Sequence, residues 1–276
     1  MVGPTRRGLA GILAVALLVP DQTVGQAALA PPPGYDLVWQ EEFSVEGLPS
    51  PANWQFDTSR NRAGWYNGEL QYYSDARARN ARVKHGRLIL TARRESPSSA
   101  SDWNGQRFTS ARLTTRGRHN WRGGFFEVRA KLPCKRGAWP AIWLFPDSEG
   151  GDWSGGEIDI AEVVGHDPDT VHHAVHTADK NFKQGNHERA VSRIRSCEEF
   201  HVYQALWTAE EVIIGVDGAV ALRTSAHAFD RPMSLIVNVA VGGDWAGEAG
   251  IDNRSFPIKM EVDYVRVWQP PAESSG

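Results

Sequence analysis

Short runs of alternating apolar and polar residues constrain this fold more than any other feature of the sequence. Glycine, proline, asparagine and aspartate separate the runs, which is typical of β-strands joined by turns. No apolar stripe with helical spacing extends over about 12 residues. Clear strand candidates are the segments 87–93, 125–131, 212–217 and 259–268. The sequence therefore predicts an all-β fold, either an antiparallel sandwich or a barrel.

The segment 259–268 also indicates how the strands are arranged. Apolar residues occur at both the even-numbered and the odd-numbered positions of this segment. Both faces of the strand are therefore expected to be covered, as in an inner strand. An apolar fraction of 41% is ample for a packed core. Antiparallel sandwiches and barrels reach roughly 200–250 residues as one unit. Residues 31–276 are therefore predicted to form a single domain.

Residues 1–30 are predicted to be a secretory signal peptide and the start of a linker. Two arginines precede the apolar run 9–19, and its about 11 residues are too few for a bilayer span, which needs about 20. We favour cleavage near Ala27, because a cut after Ala30 would leave a proline next to the cut. No cysteine lies near this point, so no membrane anchor is predicted. The mature protein is expected to be secreted, either extracellular or periplasmic.

The charge balance gives no reason to expect a nucleic-acid partner. Lys and Arg total 30 and Asp and Glu total 33, a formal charge of -3. Binding to phosphates needs a clustered surplus of basic residues.

Two cysteines, Cys134 and Cys197, allow two interpretations. In an exported chain a disulfide can persist, and closing a loop of about 60 residues would stabilise the fold by roughly 3–4 kcal/mol. Two small buried thiols fit the sequence equally well, because the sequence does not show whether the cysteines lie close together.

Three acids in an apolar run make the segment 155–165 the most informative part of the chain. On a strand, Glu157 and Asp159 share one face, whereas Glu162 would fall on the other. A bulge at Ile160 and Ala161 would return Glu162 to the first face. The two glutamates would then be about 13 Å apart at Cα, and their carboxyl groups about 5.5 Å apart, the spacing of a retaining glycosidase.

Two other interpretations of the three acids are open: a solvated strand face, and a calcium site. The accompanying segments favour a sugar-binding cleft, which needs flat aromatic surfaces together with amide and carboxyl groups. Such residues occur together in the segments 65–73, 139–143 and 242–245.

These segments resemble glycoside hydrolase family 16, in particular its bacterial laminarinase-like endo-β-1,3-glucanases. The matching strings are LVWQEEF (37–43), NGELQYYS (67–74), FEVRAKLP (126–133), AWPAIWLFP (138–146), GEIDIAEVVG (156–165), VGGDW (241–245) and VDYVRVWQ (262–269). The resemblance implies a β-jelly-roll sandwich of two curved antiparallel sheets, the concanavalin A-like arrangement, with an open concave cleft. It also implies secreted endo-hydrolysis of β-1,3-glucan with retention.

The resemblance implies Glu157 as nucleophile, Asp159 as its electrostatic partner and Glu162 as general acid/base. The nucleophile must be ionised, whereas the acid must carry a proton. A charged Glu157 raises the proton affinity of Glu162, and this effect disappears once the glycosyl-enzyme forms.

Further residues match positions that bind sugar in the family, although core packing is the usual role of a tryptophan. His173 and Ala174 stand where relatives commonly have Gly and Thr, which leaves the fit around the scissile bond open. The candidate substrate-binding residues are Asn67, Glu69, Trp139, Trp143, His176 and Trp245. The tryptophans assigned to the core are Trp54, Trp207 and Trp268.

A structural calcium ion away from the catalytic face is also expected from the resemblance, with Glu42, Gly86 and Asp263 as its ligands. Catalysis needs no cofactor, the partner is a β-glucan polysaccharide, and the chain is expected to be a monomer. The alternatives are another family 16 specificity, for mixed-linkage β-1,3-1,4-glucan or a galactan, and a module that binds β-glucan without cutting it.

Overall fold

The computed structural model describes residues 28–147, 153–195 and 197–272. Within these residues the chain forms two antiparallel sheets, of eight and seven strands, and a small parallel pair. The all-β prediction is therefore confirmed. The strands are β1 (Asp36–Glu41), β2 (Gln55–Phe56), β3 (Gln71–Tyr73), β4 (Ala81–Val83), β5 (Leu88–Ala92), β6 (Phe108–Ser110), β7 (Arg112–Thr114), β8 (Gly124–Lys131), β9 (Ala138–Pro146), β10 (Glu157–Glu162), β11 (Thr170–His176), β12 (Glu188–Arg193), β13 (His201–Trp207), β14 (Glu211–Val216), β15 (Ala219–Ser225), β16 (Met233–Val241) and β17 (Ile258–Gln269).

The strand orders define a two-sheet sandwich. The eight-stranded sheet has the order β15-β14-β13-β8-β17-β5-β4, with β1 also paired to β17. The seven-stranded sheet has the order β12-β11-β10-β9-β16-β7-β2, and β3 pairs with β6 in parallel. β17 lies between β8 and β5, so its prediction as an inner strand is confirmed. Several connections cross from one sheet to the other, among them those between β7 and β8, β8 and β9, and β16 and β17, as in the predicted β-jelly-roll.

The main apolar core lies between the two large sheets, and β9 shows why one sheet also carries a cleft. Ile142 and Leu144 of β9 are completely buried in the core. Trp139 and Trp143, at the alternating positions, line a cleft on the other face of the seven-stranded sheet. The two-residue period of the strand thus separates core residues from cleft residues.

The tryptophans assigned to the core follow this division with one exception. Trp54 and Trp207 are each 2% exposed and belong to the main core. Trp268 is only partly buried and packs edge-on against Phe125, at 5.6 Å between ring centroids, in a smaller apolar cluster. That cluster covers the outer side of the eight-stranded sheet.

Helical segments are short throughout the described residues. They are α1 (Gly243–Ala246) and two 3-10 turns, Tyr66–Gly68 and Phe182–Gln184. None of the helices in the described ranges has the length and apolar character that a bilayer crossing requires.

The folded domain begins ahead of the predicted boundary at Pro31. Leu29 is 7% exposed and packs with Phe125 and Ile213. Its N–H donates to the Gly218 carbonyl at 2.7 Å, and its own carbonyl accepts from the side chain of Gln204 at 3.1 Å. Leu29, which the sequence assigns to the linker, thus packs against the eight-stranded sheet through its apolar side chain. The predicted signal peptide, residues 1–27, lies outside the described residues.

The two cysteines form a disulfide. Cys134 and Cys197 are bonded, with Cα atoms 6.0 Å apart and a separation of 63 positions in sequence. Of the two interpretations left open by the sequence, the bridge is therefore correct.

Removing this bridge is expected to lower the melting temperature without removing activity. The double variant Cys134→Ser/Cys197→Ser should lose roughly 3–4 kcal/mol of stability through the greater entropy of the unfolded chain, or a Tm decrease of roughly 10 °C for a domain of this size. Calorimetry of the variant and the parent protein measures this difference. An unchanged Tm would contradict it, and kcat at room temperature serves as the control because neither cysteine lines the cleft.

Candidate active site

The three predicted acids lie on β10 and line one cleft of about 400 Å³. The pairing of β10 with both neighbouring strands shifts register after Asp159. On the β11 side, two residues of β10, Ile160 and Ala161, face a single residue. This is the predicted bulge, and it brings Glu162 to the same face as Glu157. The local prediction is confirmed.

Strand β9 supplies the aromatic wall beside these acids. The indole N–H of Trp139 donates to Oε1 of Glu162 at 2.9 Å. The indole N–H of Trp143 donates to Oδ1 of Asn238, on the neighbouring strand β16, at 2.8 Å. Trp139 therefore orients one catalytic candidate directly, while Trp143 is fixed as a cleft surface.

Two donors hold the other acids. The indole N–H of Trp153 donates to Oε2 of Glu157 at 2.9 Å. Nε2 of His176 lies 3.2 Å from Oδ2 of Asp159, and His176 is 5% exposed. His176 thus contacts the acid between the two glutamates and not the cleft surface itself. Ligand atoms of Glu157, Asp159 and His176 lie within 4.8 Å of one another, a spacing that could also hold a metal ion.

Burial and mutual repulsion raise the proton affinity of the acids. Burial and, after it, the charge of Asp159 raise the pKa of Glu157 to about 8, although His176 and the Trp153 N–H act in the opposite direction. Burial and the charges of Asp159 and Glu157 raise the pKa of Glu162 well above its ordinary value of 4.5. A raised pKa keeps Glu162 protonated to higher pH than an ordinary glutamate, as a general acid requires.

A loop leading into β3 contributes the predicted residues Asn67 and Glu69 to the same cleft. Asn67 has a positive φ of 56° inside a 3-10 turn, a conformation that asparagine tolerates well. Burial raises the pKa of Glu69 to about 7, although hydrogen bonding to Gln71 and the charge of Arg112 act against this rise. Glu69 is thus a buried carboxyl that can accept from, or donate to, a sugar hydroxyl.

Trp245 lies beside the cleft wall and is not among the described residues that line the cleft. Its ring packs edge-on against Trp139 at 5.3 Å and against His172 at 4.7 Å. His172 in turn pairs with Glu162 across β10 and β11. Trp245 therefore adjoins the Glu162 end of the acid row.

The sequence matches the profile of glycosyl hydrolases family 16 over residues 68–266. The chain belongs to glycosyl hydrolase family 16. The resemblance found in the sequence is thus confirmed at the level of the family.

Individual proteins match this chain over most of its length. It is 44% identical over 254 residues to a beta-glucanase of Rhodothermus marinus, with 86% of each chain covered. Its structure resembles SCLam, a non-specific endo-beta-1,3(4)-glucanase, with a TM-score of 0.85, 43% identity, and coverage of 88% of this chain and 94% of that one. The laminarinase from Rhodothermus marinus gives a TM-score of 0.79 at 45% identity, covering 85% and 97%.

This family 16 cleft contains residues that the sequence did not single out. The Arg112 guanidinium lies 4.7 Å from the ring centroid of Trp143 and 5.2 Å from that of Trp65, and Nε of Arg112 is 2.9 Å from Asp57. Trp153 contacts Glu157, as described above. The position of Trp153, close before the acids, could have indicated it. Arg112 comes from a distant strand, and the sequence carries no signal for it.

The candidate calcium ligands of this family 16 chain lie on the eight-stranded sheet, away from the cleft. Glu42 accepts two hydrogen bonds from Arg266, at 2.7 and 3.1 Å. Asp263 accepts from Arg129, and Gly86 lies in the turn between β4 and β5 with φ 70°. Both carboxylates are therefore paired with arginines in the structure, and these ion pairs would compete with a calcium ion for the carboxylate oxygens.

Proposed function

We propose that the chain is an endo-acting retaining hydrolase of β-glucans that cleaves β-1,3-glucosidic bonds of laminarin-type polysaccharides. The observation that carries the proposal is the row of Glu157, Asp159 and Glu162 on one face of an aromatic cleft, aligned by the β10 bulge. Hydrolysis at glycosidic bonds needs one carboxylate and one protonated carboxyl on opposite sides of the bond.

In the first step of the proposed reaction, an oxygen of Glu157 attacks the anomeric carbon and the glycosidic C–O bond breaks. Glu162 gives its proton to the departing oxygen. Trp153 and Trp139 hold the two carboxyl groups through their indole N–H groups. Asp159, in contact with His176, lies between them, and its charge raises the pKa of the nucleophile Glu157.

In the second step, Glu162 removes a proton from water while the water oxygen bonds to the anomeric carbon, and Glu157 leaves as a carboxylate. The negative charge of Glu157 is one cause of the raised pKa of Glu162. Ester formation removes that charge, so the pKa of Glu162 falls and Glu162 becomes a base. One water is consumed, and the sugar keeps its anomeric configuration.

The linkage preference is supported by the relatives and the open aromatic cleft. SCLam is a non-specific endo-beta-1,3(4)-glucanase, and this similarity makes mixed-linkage glucan the second candidate substrate of the present chain. Incubation with laminarin, mixed-linkage β-1,3-1,4-glucan and agarose, followed by product sizing, tests the preference. We expect short laminarin oligosaccharides whose newly formed reducing ends are initially β by NMR. Initial α-anomers would contradict retention.

A module that binds β-glucan without cutting it is the alternative from another class. The presence of both glutamates, each with an indole donor, favours catalysis. Binding to laminarin without any increase in reducing ends would support the module and overturn the proposed hydrolase.

The pH dependence of kcat/KM is expected to be bell-shaped and centred above the range of ordinary carboxyl groups. Activity requires ionised Glu157, whose pKa is raised to about 8 by burial and Asp159, so activity is lost as pH falls. Activity also requires protonated Glu162, whose pKa is raised well above its ordinary value by burial and the charge of Asp159, so activity is lost again at alkaline pH. Initial rates on laminarin across pH measure both limbs, which belong to the coupled group of acids. An optimum near pH 4.5, the ordinary value for Glu, would contradict this.

We also propose that the protein is secreted as a monomer after removal of its signal peptide and that no cofactor takes part in catalysis. Retention of Leu29 in the folded domain supports cleavage near Ala27. N-terminal sequencing of secreted protein tests the cut, and light scattering tests the monomer. A mature chain beginning after Leu29, or a dimer, would contradict the respective proposal.

A structural calcium ion at Glu42, Gly86 and Asp263 stays a proposal that rests on the family resemblance. The arginines that now pair with Glu42 and Asp263 would have to move away for the ion to bind. If calcium binds, EDTA is expected to lower the Tm and added calcium to restore it, with kcat at room temperature unchanged. Equal Tm values in EDTA and in calcium would contradict the calcium site.

A further inference from the structure

His173 lies directly opposite the bulge in β10. On β11 it is the single residue that faces Ile160 and Ala161, and its side chain is completely buried. The extra residue in β10 is what turns Glu162 towards the cleft, since a shift of one residue moves a side chain to the other face of a strand. Whatever fixes the bulge therefore also fixes Glu162.

Both ring nitrogens of His173 have partners. Nδ1 lies 2.7 Å from the carbonyl oxygen of Ile160, and Nε2 lies 2.8 Å from the hydroxyl of Ser192. Burial lowers the pKa of His173 to about 4, so the ring carries one proton at neutral pH. A carbonyl oxygen only accepts, so this proton lies on Nδ1 and the Ser192 hydroxyl donates to Nε2.

We propose that His173 is a positioning residue that fixes the bulge of β10 and thereby holds Glu162 where it can protonate the leaving oxygen. The Nδ1–H group of His173 binds a carbonyl inside the bulge, and Ser192 selects the tautomer that provides this donor. His173 is buried and acts through Glu162, so the inference rests on the proposed role of Glu162 as general acid.

A matched pair of substitutions separates the hydrogen bond from the packing. Asparagine can present its Nδ2 amide where the imidazole carries Nδ1, and leucine has the same branched shape without a donor. His173→Leu is expected to lower kcat on laminarin roughly 100-fold, the effect of a catalytic group displaced by about 1 Å. KM should stay nearly constant, because the sugar-binding residues remain in place. His173→Asn should restore most of the lost kcat.

Two readouts distinguish positioning from a general loss of stability. A dinitrophenyl leaving group departs without a proton, so the deficit of His173→Leu in kcat/KM, which reports the first step, should nearly vanish on dinitrophenyl β-laminaribioside. The alkaline limb of kcat/KM on laminarin should also move to lower pH, because a displaced Glu162 is less affected by neighbouring negative charge. The titratable groups that face Glu162 or act on it are Glu157, Asp159, Glu69, His172 and His176.

The control for stability is Val212→Ala, which removes a buried side chain from β14 in the other sheet. We expect it to lower the Tm without the pH shift or the dependence on the leaving group. Ser192→Ala, which no longer selects the tautomer, should lower kcat in the same manner as His173→Leu, and it carries the test if the leucine variant does not fold.

Equal kcat values for the leucine, asparagine and parent proteins would overturn the role of His173. A deficit in kcat/KM of equal size on laminarin and on the dinitrophenyl substrate would do the same. If Glu162→Gln retained full activity on laminarin, the proposed function of Glu162 would fail instead. The two failures are therefore distinguishable.

Discussion

Replacing Glu157 by alanine is expected to abolish hydrolysis of laminarin, with kcat lower by roughly 10⁴-fold or more, as when other covalent nucleophiles are removed. The variant has no group to form the glycosyl-enzyme, while the aromatic cleft and the hydrogen bond between Trp139 and Glu162 are untouched. Binding of laminarin oligosaccharides should therefore persist. Reducing-end assays and calorimetric titration measure the two properties separately.

An external nucleophile gives a sharper test of this variant. The cavity left by Glu157 should admit azide, which attacks the anomeric carbon of dinitrophenyl β-laminaribioside once. A single displacement inverts the carbon, so the product should be the α-glycosyl azide. Glu199→Ala, which removes an exposed acid, should behave as the parent protein. Substantial hydrolysis of laminarin by Glu157→Ala without azide would show that another group is the nucleophile.

Replacing Glu162 by alanine is expected to lower kcat on laminarin roughly 10²–10⁴-fold, the usual contribution of a general acid. The first step should be much less affected on dinitrophenyl β-laminaribioside, because this leaving group needs no proton. Glycosyl-enzyme should then accumulate, since Glu162 no longer activates water. The alkaline limb of the pH profile should disappear along with its titrating group.

Azide distinguishes the two glutamates by stereochemistry. In Glu162→Ala the nucleophile Glu157 is intact, so azide attacks the glycosyl-enzyme and the second inversion gives the β-glycosyl azide. The α-product from Glu157→Ala and the β-product from Glu162→Ala together assign the roles. The reverse pair of products would exchange the two assignments, and no rescue of either variant would argue against a covalent mechanism.

Features that depend on local periodicity could be predicted from the sequence. The bulge at Ile160 and Ala161 followed from the spacing of three acids on a strand, because a period of two leaves only one way to align them. The separation of core and cleft residues on β9 follows the same rule. The family resemblance then supplied the two-sheet arrangement, which local pattern alone does not give.

Features that depend on distant strands could not be predicted. Arg112 reaches Trp143 only because β7 and β9 flank β16 in the sheet, an order that the sequence does not encode locally. Leu29 was assigned to a linker, since a single apolar residue beside prolines gives no period. In the sequence, His173 was noted only as a departure from the pattern that the family resemblance implies, and its contact with the Ile160 carbonyl shows what the residue does in the fold.

The β10 bulge also bears on how such sites can change by small genetic steps. Deleting Ile160 or Ala161 would leave an uninterrupted Glu-x-Asp-x-Glu strand, in which simple alternation points all three acids the same way. A one-codon deletion therefore conserves the reacting groups but alters the twist of the strand beyond Asp159. The angle at which an acid approaches the sugar can thus evolve separately from the identity of the acid, and a partner such as His173 is useful only in the longer version.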